Sequence, residues 1–125
     1  ALARAAVGRG WRVTGVTLSD SQLDHARAAA AAAGLGDRAT FSLRDHRDVR
    51  GQFDRILSVE MIEAVGEEYW PAFFRQLHDL LRPGGRAVIQ AITIDEAWFD
   101  DYRATPDFIQ RYIFPGGMLP TRTAI

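Results

Sequence analysis

The stretch Phe53 to Trp70, FDRILSVEMIEAVGEEYW, limits the possible folds more than any other part of the chain. Phe53 to Val59 is a short run of large apolar and β-branched residues after a turn at Gly51, which reads as a buried strand. Two carboxylates, Glu60 and Glu63, follow where the run ends. Gly66 then breaks the pattern, and Glu67 to Leu81 resumes with helical spacing: Tyr69, Trp70, Phe73, Phe74, Leu77, Leu80 and Leu81 make one apolar face. Pro71 falls in the first turn, where a missing N–H costs nothing. A buried strand that opens into acids and then a helix is where an open α/β sheet places its ligand.

The remaining segments alternate around this one. Ala1 to Val7 has the composition of a helix ending near Gly8 or Gly10. Trp11 to Leu18 has the β-branched density of a strand. Ser19 and Gln22 have the spacing of a capping box, and the alanine-rich helix they open should stop at Gly34 or Gly36. Arg38 to Leu43 is a second strand, Phe53 to Val59 a third, and Arg86 to Ile94 a fourth, after a turn at Arg82-Pro83-Gly84-Gly85. Asp95 to Tyr112 is expected to be helical in pieces, broken by Pro106. Such alternation predicts an α/β fold, a parallel sheet with helices on both faces. Leu18-Ser19, Asp45-His46, Val59-Glu60 and Ile92-Thr93 should then line one edge.

With 125 residues the chain suffices for one modest domain. Its net charge is -1 and it has no basic run, so nothing calls for nucleic acid. Without cysteine there is no disulfide framework, thiolate metal site or cysteine nucleophile in this segment. The longest near-apolar run, Ala28 to Ala33, is far too short to span a bilayer. No signal peptide is visible, and a cytoplasmic location is expected. The chain opens on ALARAAVGRG and closes on LPTRTAI, which suggests a piece of a longer protein.

Several groups invite chemistry, and each also has a plainer explanation. Thr17, Leu18, Ser19 and Gln22 serve as a strand end and helix cap, or reach a ribose. No acid ends that strand, because Asp20 already lies in the helix, which argues against a nicotinamide enzyme. Asp45 and His46 are surface residues, or they bracket an adenine. Glu60 and Glu63 are solvated, or Glu63, among Met61, Ile62, Ala64 and Val65, is paired or suited to acid/base work. Gln90 interrupts an apolar strand and needs partners, either structural ones or a ligand shared with Glu63. Metal ligation has little support, since no His lies at useful spacing from these glutamates. Trp98, Phe99, Tyr102, Phe108, Tyr112 and Phe114 read mostly as core, and also suit a greasy substrate or a cation held over ring faces.

Taken in order, VTGVTLSDSQ, LRDHRD, FDRILSVEMIEAVGEEYW, LLRPGGRAVIQAITI and FIQRYIFPGGMLP resemble the cyclopropane-fatty-acyl-phospholipid synthase family, which includes the mycolic acid cyclopropane synthases. The EAVG segment together with YIFPGG is the most specific part. The resemblance implies a Rossmann-like class I methyltransferase, a three-layer sandwich truncated at both ends. A single partial domain over 1–125 would lack the first strand, with its Gly-rich loop just before Ala1, and the C-terminal strands. It further implies S-adenosylmethionine as cofactor, bicarbonate as a bound base, and an unsaturated phospholipid or other acyl lipid as substrate, with peripheral contact at the inner membrane face. Matched residue by residue, Glu63 helps hold the anion with Gln90, and Ile92 contributes backbone. Thr17, Leu18, Ser19 and Gln22 meet the ribose region, Asp45 and His46 the adenine, and Val59 closes the pocket wall. Gln90 stands where the best-known members carry His. An amide can hydrogen-bond an anion but cannot move a proton; the resemblance to members with Gln there implies other outcomes, such as a methyl branch or a methylene, and leaves ring versus branch open. A small-molecule methyltransferase of the same fold and a non-catalytic remnant are the rival readings. An acyl substrate requires Ile109 to Leu119 to line an apolar tunnel. The isolated segment is expected to be inactive.

Overall fold

A computed structural model describes all 125 residues. They form two compact units, Ala1–Val49 and Arg50–Ile125.

In the first unit, helix α1 (Leu2–Gly8) precedes strand β1 (Val13–Thr17). Helix α2 (Asp20–Ala32) follows, and then strand β2 (Ala39–Leu43), parallel to β1 from Val13↔Ala39 to Thr17↔Leu43. Val7, Leu35 and Ala39 form the buried centre, with Ala3, Val13, Ala30 and Phe41 packed on it. This is a right-sized βαβ unit, and small alanines let α2 lie close to the strands. Ser19 caps α2 as expected, accepting from the Gln22 amide at 3.3 Å. The reciprocal half of the predicted capping box is not made. Gln22 Oε1 instead accepts from the Thr17 hydroxyl at 2.7 Å, and the Ser19 N–H donates to Thr17 Oγ1 at 3.1 Å. Thr17, at the strand end, competes successfully for both groups.

In the second unit, β3 (Phe53–Val59) runs parallel to β4 (Leu81–Gln90), and α3 (Trp70–Leu80) connects them. Phe53 pairs with Leu81 and Arg55 with Arg86, so Arg82 to Gly85 bulge out of the ladder. The predicted turn is therefore present, inside the span of the strand. One side of the pair faces α3, where Ile56 and Ile89 pack against Ile62, Trp70, Phe73 and Leu77. The other side carries Leu57, Val59 and Val88, all exposed. Alternation by two explains both faces. Helix α4 (Glu96–Ala104), capped by Asp95, and a π-helical turn at Ile109–Ile113 complete the unit.

Three expectations need correction. The four strands do not pair into one parallel sheet: β1–β2 and β3–β4 are separate two-stranded sheets, so a single edge lined by all four strand ends is not formed by strand pairing. The fourth strand stops at Gln90 and does not continue to Ile94. Its partner β3 ends at Val59, and Glu60 turns away with φ +48°, so nothing remains for Ala91 to Ile94 to pair with. The aromatic residues of the last third are also mostly not core: Trp98, Phe108, Tyr112 and Phe114 are more than half exposed. Phe108 and Tyr112 contact each other at 5.1 Å, while Phe99 packs on the core.

Candidate active site

Because β3 and β4 are parallel and both end at the pair Val59↔Gln90, the segments after them leave the same edge of this sheet. Glu60 closes the pair: its N–H donates to the Gln90 carbonyl at 2.9 Å, and its Oε1 accepts from Gln90 Nε2 at 3.0 Å. Gln90 thus takes Glu60 as its side-chain partner, where the sequence suggested Glu63. Gln90 is exposed, so the expectation of a buried amide does not hold; its amide is paired at the solvent-facing end of the strand.

Glu63 sits in a 3-10 turn, Ile62–Ala64, pinned by the fully buried Ile62. Its Oε1 accepts the Ile92 N–H, which is free for this because β4 has already ended. Its Oε2 is buried and has no partner. A buried carboxylate oxygen without a donor is costly. Oε2 therefore keeps an unused acceptor position. Glu63 lines a cavity of about 100 Å³ together with Ile109, Phe114, Met118 and Leu119. This is a small apolar cavity and not the tunnel expected of Ile109 to Leu119. Asp107, Gln110 and Tyr102 also line it, so a mainly apolar cavity carries a few convergent polar groups, the usual make-up of a small-ligand site.

The two most specific motifs of the sequence meet here. The Met118 N–H donates to the Glu63 carbonyl at 2.8 Å. A Cβ on Gly117 would lie 2.8 Å from that same carbonyl and 3.0 Å from the Phe114 carbonyl. Gly66, at φ +79°, has the Gly116 carbonyl 3.0 Å from where its Cβ would be. So EAVG and FPGG lie backbone to backbone, and only glycine permits that approach.

The sequence analysis did not single out Gln110 or Asp107, and it named Tyr102 only among the aromatic residues; all three shape this site. Gln110 N donates to Asp107 Oδ1 at 2.8 Å, and Asp107 N donates to Gln110 Oε1 at 2.9 Å, a complete capping box. The D-x-x-Q spacing was as visible as that of Ser19 and Gln22. Tyr102 accepts from the Leu119 N–H at 3.3 Å and also lines the cavity.

In the first unit, Thr17↔Leu43 is the last β1–β2 pair, so residues 18–22 and 44–48 leave one edge of that sheet. Thr17, Ser19, Ser21 and Gln22 form a hydroxyl and amide network, while Leu18 is exposed. Asp45 caps the turn His46–Asp48 and grips Arg47 through both oxygens, at 3.0 and 2.7 Å. That hydrogen bonding from Arg47 holds its carboxyl at about 2. His46, half-buried and 3.2 Å from Asp45, has its pKa lowered by burial, against the pull of the carboxylate. Asp45 thus already has protein partners, and His46 favours the neutral ring.

Parallel strands joined through helices, with polar groups gathered at the strands' carboxyl ends, define a Rossmann-like α/β enzyme fold. The crystal structure of mycolic acid cyclopropane synthase CmaA1 complexed with SAH and CTAB superposes with a TM-score of 0.81 at 29% identity, over 96% of this chain and 45% of that one. The chain belongs to the mycolic acid cyclopropane synthetase family, whose family model matches residues 1–125. Tuberculostearic acid methyltransferase UfaA1 of Mycobacterium tuberculosis is 51% identical over 120 residues, 96% of this chain and 28% of that protein. Cyclopropane-fatty-acyl-phospholipid synthase of Escherichia coli is 36% identical over 109 residues, 87% of this chain and 26% of that protein. The chain spans only a minor part of the curated relatives it matches.

Proposed function

We propose that this chain is part of an S-adenosylmethionine-dependent C-methyltransferase that acts on an unsaturated acyl chain of a lipid. The observation that carries the reading is the unpartnered, buried Oε2 of Glu63 beside an apolar cavity. Two relatives support it: a tuberculostearic acid methyltransferase and a cyclopropane-fatty-acyl-phospholipid synthase both, by name, handle acyl lipids. The CmaA1 structure holds SAH, the demethylated cofactor. When bound, the cofactor supplies an electrophilic methyl on a sulfonium.

The roles of the chain's own residues follow from the chemistry. Glu63 accepts a hydrogen bond from the O–H of a bicarbonate, since two anions tolerate each other only with a proton between them. Ile92 contributes its backbone N–H to hold Glu63 in place. Gln90 has a second amide hydrogen beyond the one given to Glu60, and offers it to the same anion. Thr17, Leu18, Ser19 and Gln22 meet the ribose region, Asp45 and His46 the adenine, and Val59 forms the pocket wall. The domain is a partial one, completed by a preceding strand with a Gly-rich loop. Contact with a membrane surface and a cytoplasmic location belong to the same reading. No helix is long and apolar enough to cross a membrane.

The second reading, a small-molecule acceptor, draws on the cavity being small and not a tunnel. Mass spectrometry of lipids from cells expressing the full-length protein decides between them: a mass gain of one methyl or methylene on acyl chains is expected. In that protein, Glu63→Gln should leave cofactor binding nearly intact and lower methyl transfer at least about tenfold, roughly 1.4 kcal/mol in barrier. Unchanged turnover counts against Glu63.

A further inference from the structure

We propose that Gln110 is a positioning residue for Glu63, acting through the Gly117–Met118 strap; the consequence for turnover rests on the reading of Glu63 above, while the geometric claim does not. Gln110 is more than nine-tenths buried, although five of its nearest neighbours in sequence, Phe108, Ile109, Tyr112, Ile113 and Phe114, are exposed apolar residues. A capping box alone uses only the side-chain oxygen, which Asp107 N occupies. The amide nitrogen goes further. Nε2 donates to the Gly117 carbonyl at 3.3 Å and lies 3.8 Å from Met118 Sδ. This ties the start of the π-helical turn to the strap that follows it.

The strap in turn holds Glu63. Met118 N donates to the Glu63 carbonyl, and Gly117 packs directly against the same oxygen. Gln110 and Glu63 also line the same cavity. A chain of short contacts therefore runs from the Gln110 amide through Gly117 and Met118 to the Glu63 backbone. The Glu63 carboxylate lies at its end, with one oxygen on Ile92 N and the other free. A turn of five residues has little rigidity of its own, so a buried cross-tie is what keeps the strap seated and Glu63 in one rotamer.

The test separates the cap from the clamp. Gln110→Glu keeps an acceptor for Asp107 N and loses the donor to Gly117. Asp107→Ala removes the acceptor of the Gln110 N–H, the side-chain half of the cap, and leaves the clamp. Both are made in the full chain, labelled with 15N, and followed by proton–nitrogen NMR. For Gln110→Glu, exchange of the Met118 amide should accelerate at least about tenfold, and the Ile92 amide proton should move upfield as its carboxylate partner wanders. For Asp107→Ala, both signals should stay close to wild type. Should Gln110→Glu fail to fold, Gln110→Met, similar in length and suited to burial, removes the Gly117 donor and the Asp107 N–H acceptor together, and its effect counts for the clamp only where it exceeds that of Asp107→Ala. Wild-type Met118 and Ile92 signals in a folded Gln110 variant overturn the proposal, as does an equal effect from Asp107→Ala. Loss of methyl transfer in Glu63→Gln is read separately, so failure of the catalytic reading cannot be mistaken for failure of the clamp.

Discussion

At the scale of single residues, a glycine lies against the backbone of the candidate acid. A Cβ on Gly117 meets two backbone carbonyls, Glu63 and Phe114, neither of which can rotate away. Gly117→Ala should therefore cost on the order of 1–3 kcal/mol, read as a lower midpoint in urea with an unchanged slope. An unchanged midpoint would mean that EAVG and FPGG do not touch. A second prediction concerns Asp45 and His46. His46 titrates below its ordinary 6.5 because burial disfavours its charged form. The unfolded chain therefore takes up that proton first as pH falls. The stabilisation is whole above about 6.5 and disappears as pH drops through the lowered value. Asp45, held at about 2 by Arg47, adds a second loss below its ordinary 3.8. Stability of the first unit should decline from pH 7.5 to 5.5, and His46→Gln should flatten that part of the curve while leaving the acid limb. A curve identical in shape for the variant would remove His46 from the explanation.

At the scale of elements, α3 does the most packing. Trp70, Phe73 and Leu77 recur on one face and cover Ile56 and Ile89 of the strands. Phe73 is 1% exposed and meets Phe74 edge-on at 5.3 Å. Phe73→Ala should cost about 3–5 kcal/mol, measured by chemical denaturation. The opposite face of the same strand pair behaves differently. Leu57 and Val88 are 51% and 58% exposed and occupy paired positions in the ladder. A double Leu57→Thr, Val88→Thr variant should lose binding of a hydrophobic dye such as ANS and keep its stability within about 0.5 kcal/mol. A large loss of stability would show that this face is covered. Helix α3 was legible because 3.6-residue periodicity is a local property. The early end of β4 was not: Ile92 and Ile94 look like strand residues, and only the end of β3 at Val59 leaves them without a partner.

At the scale of the whole molecule, the 125-residue chain should bind S-adenosylmethionine poorly or not at all. The Gly-rich loop that the family resemblance implies for cradling the cofactor's charged end is not among these 125 residues. Calorimetry checks this directly, and tight binding by the isolated chain would refute it. In the full-length protein the same measurement should give a saturable signal.

Local chemistry in the sequence determined the order of helices and strands, the Ser19 cap, the Phe53–Val59 strand and the apolar face of α3, because periodicity and capping act within a few residues. Ordered motifs pointed correctly to the family. Tertiary structure alone decided who partners whom. Gln90 went to Glu60 because both flank the last pair of one ladder, and Ile92 went to Glu63 because its strand had run out of neighbours. Gln110 became buried because a glycine carbonyl seven positions later turned back to meet it. Such pairings depend on distances across the fold, and no periodicity along the chain encodes them.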